Sequence, residues 1–514
     1  MNGQESAEAI VPEQTCMNRE GLNVKMSFNF ARFVSKVKKA DNAENNRHYP
    51  PEAGVELRGK EGEQSHAPAS TEGEDGNKVN TSTLLEKVLD RENLNLAYKR
   101  VKKNDGSHGV DEMKVEELLP YLKQHGETLK QSILEGKYRP QPVRRVEISK
   151  PDGGIRLLGI PTAIDRMIQQ AIAQVLSPIF EKEFSRYSYG FRPGCNAHQA
   201  IEQAQYYINE GYKVVVDIDL EKFFDRVNHD KLMYLLAKRI TDKRLLKLIR
   251  AYLESGVMLS GLVSSTDEGT PQGGPLSPML SNVMLHELDK ELEKRGHRFC
   301  RYANDCNIYV KSKKAGNRVM DSVREFIEKR LKLKVNREKS AVDYPSKRKF
   351  LGFSFYNHKG MARIRVHAKP LSRLKAKRKK LTGRSIGISM EARIDKLNQT
   401  IRGWVNYYKL ADMGTHCQTT DEWLRRRLRM CFWKQWKKTG TRNDNLIRLG
   451  IPVSKAWEFA NTRKGYWHTA NSPILSRSLT NDYLRNLGLS GLSEVYSKSL
   501  SLRTAVCRTA RTVA

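Results

Sequence analysis

From residue 81 onwards the chain alternates between two apolar periods, and their order predicts the architecture. Leu84, Leu85, Val88 and Leu89 recur at helical spacing behind Ser82 and Thr83, either of which suits an N-cap. Helices are expected over 94–103, stopped by Asn104-Asp105-Gly106, and over 115–135. Residues 143–160 then switch to two β-rich runs about Pro151-Asp152-Gly153-Gly154, a hairpin signature. An amphipathic helix is expected over 163–184, and Val214-Val215-Val216-Asp217-Ile218-Asp219 is a β-branched strand ending in carboxylates. Helices follow at 229–240 and 242–255, and another begins after Pro278. Residues 299–310, FCRYANDCNIYV, read as strand, tight turn and strand with Tyr302-Ala303-Asn304-Asp305 at the tip. A helix over 314–333 and the run FLGFSFYN at 350–357 come next, and beyond His367 the chain reads as helices. The fold class is therefore α+β.

Residues 1–80 lack this patterning. Rich in Glu, Gly, Asn, Ser and Pro, they bury too little surface to offset ordering entropy and are expected to be disordered, with a short helix near 30–39. Across all 514 residues the formal net charge is +33, which points to a polyanionic partner. The hydrophobic content of 39% supports a sizeable core. Cysteines at 16, 195, 300, 306, 417, 431 and 507 form no CxxC pair, so reduced thiols in a cytoplasmic protein are expected. No signal peptide and no apolar run of membrane-spanning length is read, so no membrane partner is expected.

The candidate chemistry lies where two strands deliver carboxylates to one place. On an extended strand Asp217 and Asp219 share a face, and Asp305 tips the later hairpin. Such oxygen donors suit hard divalent cations. Two of these ions clamp the attacking and leaving oxygens of a phosphoryl transfer. Lys150 and Arg156, taken to face each other across the 151–154 turn, join a point charge and a planar fork on a stiff hairpin, a pairing suited to polyphosphate. Thr270-Pro271-Gln272-Gly273-Gly274-Pro275 is a loop whose glycines permit close approach of a ligand.

The two carboxylate motifs resemble motifs A and C of reverse transcriptases, the second of which usually reads Tyr-Ala-Asp-Asp. Asn304 stands here in place of the first aspartate. The motifs follow in order over about 85–514, and IRGWVNYY at 401–408 resembles the maturase domain of group II intron-encoded proteins. The resemblance implies a right-hand fingers and palm at 81–365, a thumb or maturase domain at 366–465 and a basic DNA-binding region at 466–514, after the 1–80 tail. It picks Asp219, with Asn304 and Asp305, as the catalytic and metal-binding set, with the Leu220 carbonyl as a further ligand and two Mg²⁺ ions as cofactors. It places Lys150, Arg156, Phe224, Gln272 and Lys339 around the incoming deoxynucleoside triphosphate, with Phe224 under the sugar 2′ position and Lys339 as a proton donor to pyrophosphate. The implied partners are group II intron RNA and target DNA, and the implied activity is RNA-templated DNA synthesis together with assistance to splicing. No HNH-type endonuclease region is read.

Asn304 opens a second reading. An amide keeps one oxygen but loses a full charge and offers an NH₂ group where a cation should sit. Charge count largely sets affinity at such sites. The chain is then an engineered inactive form, a natural splicing-only RNA-binding maturase on a polymerase scaffold, or a polymerase of weak activity. Beyond 366, Arg and Lys interleave with aromatics, the composition that binds RNA by phosphate contact and stacking. The candidates are Lys375, Lys377, Arg378, Arg402, Trp404, Tyr407, Arg425 and Arg426.

Overall fold

The computed structural model describes residues 83–149, 154–259, 262–264, 268–270 and 273–501, together with an antiparallel pair β1 (Gln14–Met17) and β2 (Asn23–Met26). The disorder expected over 1–80, and the helix near 30–39, otherwise lie outside the described residues.

Three helices come first: α1 (Leu84–Val88), α2 (Arg91–Asn104) and α3 (Leu118–Leu134). The Asp90 carboxylate caps α2 by accepting from the Glu92 and Asn93 amides. The expected hairpin forms as β3 (Val143–Ser149) and β4 (Ile155–Ile160). Next come α4 (Ala163–Glu181), α5 (Ala197–Asn209) and β5 (Val214–Ile218). Helices α6 (His229–Ala237) and α7 (Lys243–Glu254) lead to a short hairpin, β6 (Val257–Leu259) and β7 (Leu262–Ser264), which the sequence reading missed. Strand β6 pairs parallel with β3, giving a sheet of order β4-β3-β6-β7. Helix α8 (Ser277–Lys294) precedes the central hairpin β8 (Arg298–Tyr302) and β9 (Asp305–Val310). Helix α9 (Lys313–Arg330) and the unforeseen β10 (Ala341–Asp343) complete a second sheet of order β10-β5-β9-β8.

Alternation along this second sheet divides the molecule. Val214, Val216, Ile218, Phe299, Cys306 and Ile308 face one core, shared with α1, α4 and α8. Val215, Cys300 and Tyr309 face the other, covered by α5 and by everything beyond residue 350. That C-terminal part opens with the hairpin β11 (Phe353–His358) and β12 (Met361–Val366). Three helices carry it on: α10 (Ala368–Leu381), α11 (Met390–Tyr408) and α12 (Gly414–Gln435). Then follow α13 (Thr439–Arg448), α14 (Val453–Ala460), α15 (Tyr466–Thr469), α16 (Pro473–Ser478), α17 (Asn481–Asn486) and a last helical run over 492–501.

Residues beyond 466 share a core with these helices rather than forming one of their own. The Asp421 carboxylate on α12 accepts from the Leu492 and Ser493 amides at 2.8 and 2.9 Å, and so caps the last helical run. No described helix is long and apolar enough to cross a membrane. Cys195, Cys300, Cys306, Cys417 and Cys431 are all free thiols.

Candidate active site

The tip of the β8–β9 hairpin is a two-residue turn. Tyr302 pairs with Asp305, leaving Ala303 and Asn304 at the corner. Ala303 adopts φ +57, a left-handed conformation costly for any residue with a Cβ. The surroundings impose it. A Cβ on Gly190 would lie 2.2 Å from the Ala303 nitrogen, so only glycine lets the 187–190 segment run against the turn. That segment bridges β8 at Ser188 and Arg301, and the Tyr189 amide donates to the Arg301 carbonyl at 2.8 Å.

Arg301 locks the corner from beneath. Fully buried, it forks onto both Asp289 carboxylate oxygens at 2.6 and 2.5 Å. Its remaining nitrogen donates to Asn282 Oδ1 at 3.1 Å and to the Ala303 carbonyl at 2.9 Å. Asn282 in turn donates to the Gly190 carbonyl at 2.8 Å. Asp289 and Asn282 lie seven apart on one stripe of α8. This support was missed in the sequence. Its one signal was an arginine inside an otherwise apolar strand, beside Cys300. Arg192, at the centre of the block before β5, is likewise buried. It pairs with Glu181 at 2.6 Å and donates to the Ser185 and Ser188 carbonyls, so its role is structural.

Strand β5 brings the second carboxylate. Its register with β9 runs from Val214 opposite Val310 to Ile218 opposite Cys306. The ladder ends there, and Asp219 and Asp305 are the residues immediately beyond that last pair, 6% and 1% exposed. The backbone past Asp219 is held by residues 334–340. The Glu221 amide donates to the Lys334 carbonyl at 2.8 Å, and the Asn336 amide to the Asp219 carbonyl at 2.9 Å. Ser340 Oγ accepts from the Asp219 amide at 3.0 Å. Carbonyls alternate along extended chain, so with the Asp219 carbonyl turned to Asn336, that of Leu220 turns the other way.

Asp217, two residues back, is engaged elsewhere. Arg348 grips it at 2.8 and 3.1 Å, while burial pushes its pKa up to about 6 against the pull of that guanidinium. Among the described residues no three His, Cys, Asp or Glu side chains converge. The donor set that the resemblance implies is two carboxylates, a backbone carbonyl and the amide of Asn304, a residue of the turn. All of it is oxygen, which fits a hard divalent cation, but it carries one charge fewer than a three-carboxylate site.

The residues expected around a nucleotide fall into three groups. Lys150 and Gln272 lie outside the described residues. Arg156 stands half-buried on β4 directly opposite Ile148, so the expected direct pairing across the turn gives way to Ile148 as its cross-strand neighbour. Phe223 is buried in the core, and Phe224, edge-on to it at 5.2 Å, is half-buried at the rim of that core. The Phe224 carbonyl accepts from Thr270 at 2.6 Å, and a Cβ on Gly273 would strike the Gly159 carbonyl at 2.4 Å. The glycine loop is thereby wedged between β4 and the residues following β5. Lys339 is half-buried, and Arg348 donates to its carbonyl at 2.6 Å while also holding Asp217.

The expected RNA-contacting residues separate by burial. Lys375, Lys377 and Arg402 are exposed, and Arg425 is half-buried. Lys375 stands 5.7 Å over the Trp423 ring. Four candidates are engaged within the protein instead. Arg378 is fully buried because helical spacing turns it inward beside Leu374, so it contacts no solvent-borne strand. Tyr407 spends its hydroxyl on the Leu351 carbonyl at 2.9 Å and its own carbonyl on His198 at 2.6 Å, joining α11 to the sheet region. Trp404 is half-buried against Tyr408 at 4.7 Å. Arg426 lies 3.9 Å over the Trp467 ring and donates to the Trp467 carbonyl at 3.0 Å, so it ties α12 to α15.

Comparison with known proteins agrees with this layout. The family model described as reverse transcriptase (RNA-dependent DNA polymerase) matches residues 148–355, and the group II intron maturase-specific domain matches 371–450. Protein YkfC of Escherichia coli is 32% identical over 316 residues, which is 54% of this chain and 82% of YkfC. The group II intron-encoded protein LtrA of Lactococcus lactis is 34% identical over 251 residues, which is 48% of this chain and 39% of LtrA. Among solved structures, a partial Cas6-RT-Cas1–Cas2 complex aligns with TM-score 0.31 at 24% identity over 48% of this chain and 42% of that one.

Proposed function

This chain belongs to the family of group II intron-encoded reverse transcriptases and maturases, and from that premise we propose that it binds intron RNA, assists its splicing and copies it into DNA. The observation that supports the polymerase half is that the buried Asp219 and Asp305 lie immediately beyond the last β5–β9 pair, Ile218 with Cys306, next to the Ala303–Asn304 turn. In this reading the β10-β5-β9-β8 sheet is the palm, the β3–β4 hairpin the fingers and the helices beyond 366 the thumb. Asp219, Asp305, the Leu220 carbonyl and the Asn304 amide oxygen would hold two Mg²⁺ ions. When bound, these ions supply charge neutralisation at the primer 3′-oxygen and the triphosphate.

The chain's own residues do the rest. The Arg301 network keeps the turn from relaxing when charge collects above it. Arg156 on its stiff strand orients the triphosphate. Half-buried Phe224 closes the space at the sugar 2′ position and excludes ribonucleotides by clash. Lys339, held through its carbonyl by Arg348, is placed to give a proton to departing pyrophosphate.

A second reading, that of a splicing maturase with little polymerase activity, is favoured by Asn304, which takes one ligand charge from the turn. One preparation assayed twice separates the two. Primer extension on an RNA template and intron splicing at low Mg²⁺ are each measured with and without Asn304→Asp. DNA synthesis is expected to rise by a factor on the order of 100 or more with Asn304→Asp, since a full ligand charge is restored. Splicing is expected to stay within about twofold. Equal and robust primer extension by both forms would remove Asn304 from the metal site.

A further inference from the structure

Between α10, α12 and α15 lies an open cavity of about 630 Å³, within the roughly 300–1,000 Å³ of small-ligand sites. Its wall carries Lys379, Lys380, Arg384, Arg427, Met430 and Trp467, with no carboxylate among the lining residues. Lys379, Lys380 and Arg384 are exposed, and none of the three forms an ion pair with a described residue. These charges are uncompensated and stand close to one another, which selects an anion.

The remaining wall is built in advance of any ligand. Arg427 is fixed by the Thr382 hydroxyl at 2.9 Å and by the Thr382 and Lys379 carbonyls at 2.8 and 3.0 Å. Trp467 is held by Arg426 stacked on one ring face and is 38% exposed, so its indole offers a fixed apolar surface to the cavity. Met430 is buried behind it. Tyr466, next to Trp467, is bracketed by Arg384 at 5.4 Å and Lys434 at 5.1 Å. An aromatic platform beside three exposed cations is the chemistry of a nucleoside phosphate: the base stacks and the phosphates meet the cations.

We infer that this cavity holds one unstacked nucleotide of a bound RNA strand, its base on Trp467 and its flanking phosphates on Lys379, Lys380 and Arg384. The inference rests on the reading that the chain binds RNA, and it adds where and how a single base is captured. An open cavity suits a strand that enters and leaves on either side. The composition of the wall does not encode a base preference, because every base presents a stacking face.

The test crosslinks the full chain to a short single-stranded RNA bearing 5-iodouridine and maps the modified peptide, with affinity measured in parallel. A crosslink on Trp467 is expected, and Trp467→Ala should weaken binding about tenfold, the stacking contribution of one base. Because Trp467→Ala also removes the seat of Arg426, Lys380→Glu serves as a second variant. It alters only an exposed side chain and should weaken binding several-fold while leaving thermal unfolding unchanged. Unchanged affinity in both variants with crosslinks elsewhere would overturn the pocket, while retained binding of the long intron RNA would leave the RNA-binding reading intact. Failure of the unaltered chain to bind any RNA would bring down both. Displacement of the oligonucleotide by micromolar AMP would overturn the assignment to a strand in favour of a free mononucleotide.

Discussion

Arg301 in the carboxylate sheet and Arg378 on α10 are both 0% exposed, yet their surroundings are opposites. Arg301 makes bonds to Asp289, Asn282 and the Ala303 carbonyl, and each of those partners is itself anchored. The Arg378 guanidinium has no hydrogen-bond partner among the described residues. Burial draws its pKa down to about 10, with the nearby Asp421 and Cys417 partly offsetting that. The sheet region thus uses a buried cation as the keystone of a turn that must not move. The helical region buries one beside Leu374 and leaves its neighbours on the helix to face solvent. Burial alone does not show what a cation does; the count of satisfied donors does.

The largest expected effect breaks the keystone. Arg301→Ala leaves Asp289 charged in a dry site and frees the strained Ala303 corner, so a loss of about 3–5 kcal/mol is expected. Urea unfolding of the variant measures it. The double variant Arg301→Leu with Asp289→Leu should recover much of that stability, because no unpaired charge remains, while still losing any polymerase activity. If the single variant were as stable as the parent, the network would not be what holds the turn.

Next in size is a pH effect on the same stripe of α8. His286 lies between Asn282 and Asp289, and burial pulls its pKa down to about 4, with Lys290, Arg301, Arg192 and Arg239 adding to the shift. Its folded pKa is below the usual value near 6.5, so between those limits the unfolded chain binds more protons. Its contribution to stability is therefore present above about pH 6.5 and is lost as pH falls towards 4. A chain carrying His286→Met should show a flatter loss of stability over that window than the parent. Identical pH profiles of the unfolding midpoint would count against this assignment.

The two regions also differ in how far they could be read beforehand. The strands carrying Asp219 and Asp305 were legible because β-branched runs ending in carboxylates are rare and periodic, and the helices were legible from apolar spacing. Strands β6, β7 and β10 were not, since three residues give no period to detect. Helix α5 was also passed over, although Asn196 and Gln199 form a capping box at its start. The turn residues alone suggest Lys150 across from Arg156, and only the register puts Ile148 opposite Arg156. In the basic helices every Lys and Arg looks alike in sequence. Which of them turn inward depends on packing against elements far along the chain, as with Tyr407 on Leu351. The Asp421 cap on Leu492 and Ser493 is likewise invisible to composition.

The smallest expected effects separate neighbours on one helix. Lys377 is exposed and Arg378 is buried, although they are adjacent in sequence and equal in charge. Arg378→Met removes a buried guanidinium whose three nitrogens lack partners and leaves Asp421 satisfied by two amides. It should therefore raise stability by about 1 kcal/mol and leave RNA affinity unchanged. Lys377→Ala should do the reverse. Stability stays within about 0.5 kcal/mol, as for most exposed substitutions. RNA affinity falls a few-fold at physiological salt, and the slope of log affinity against log salt drops by about 1 if the ammonium meets a phosphate. Measuring both variants over a salt series gives four numbers from two adjacent positions. A loss of RNA affinity on Arg378→Met matching that on Lys377→Ala would mean that α10 turns its inward face to RNA when bound, and the division into structural and ligand-facing cations would have to be redrawn.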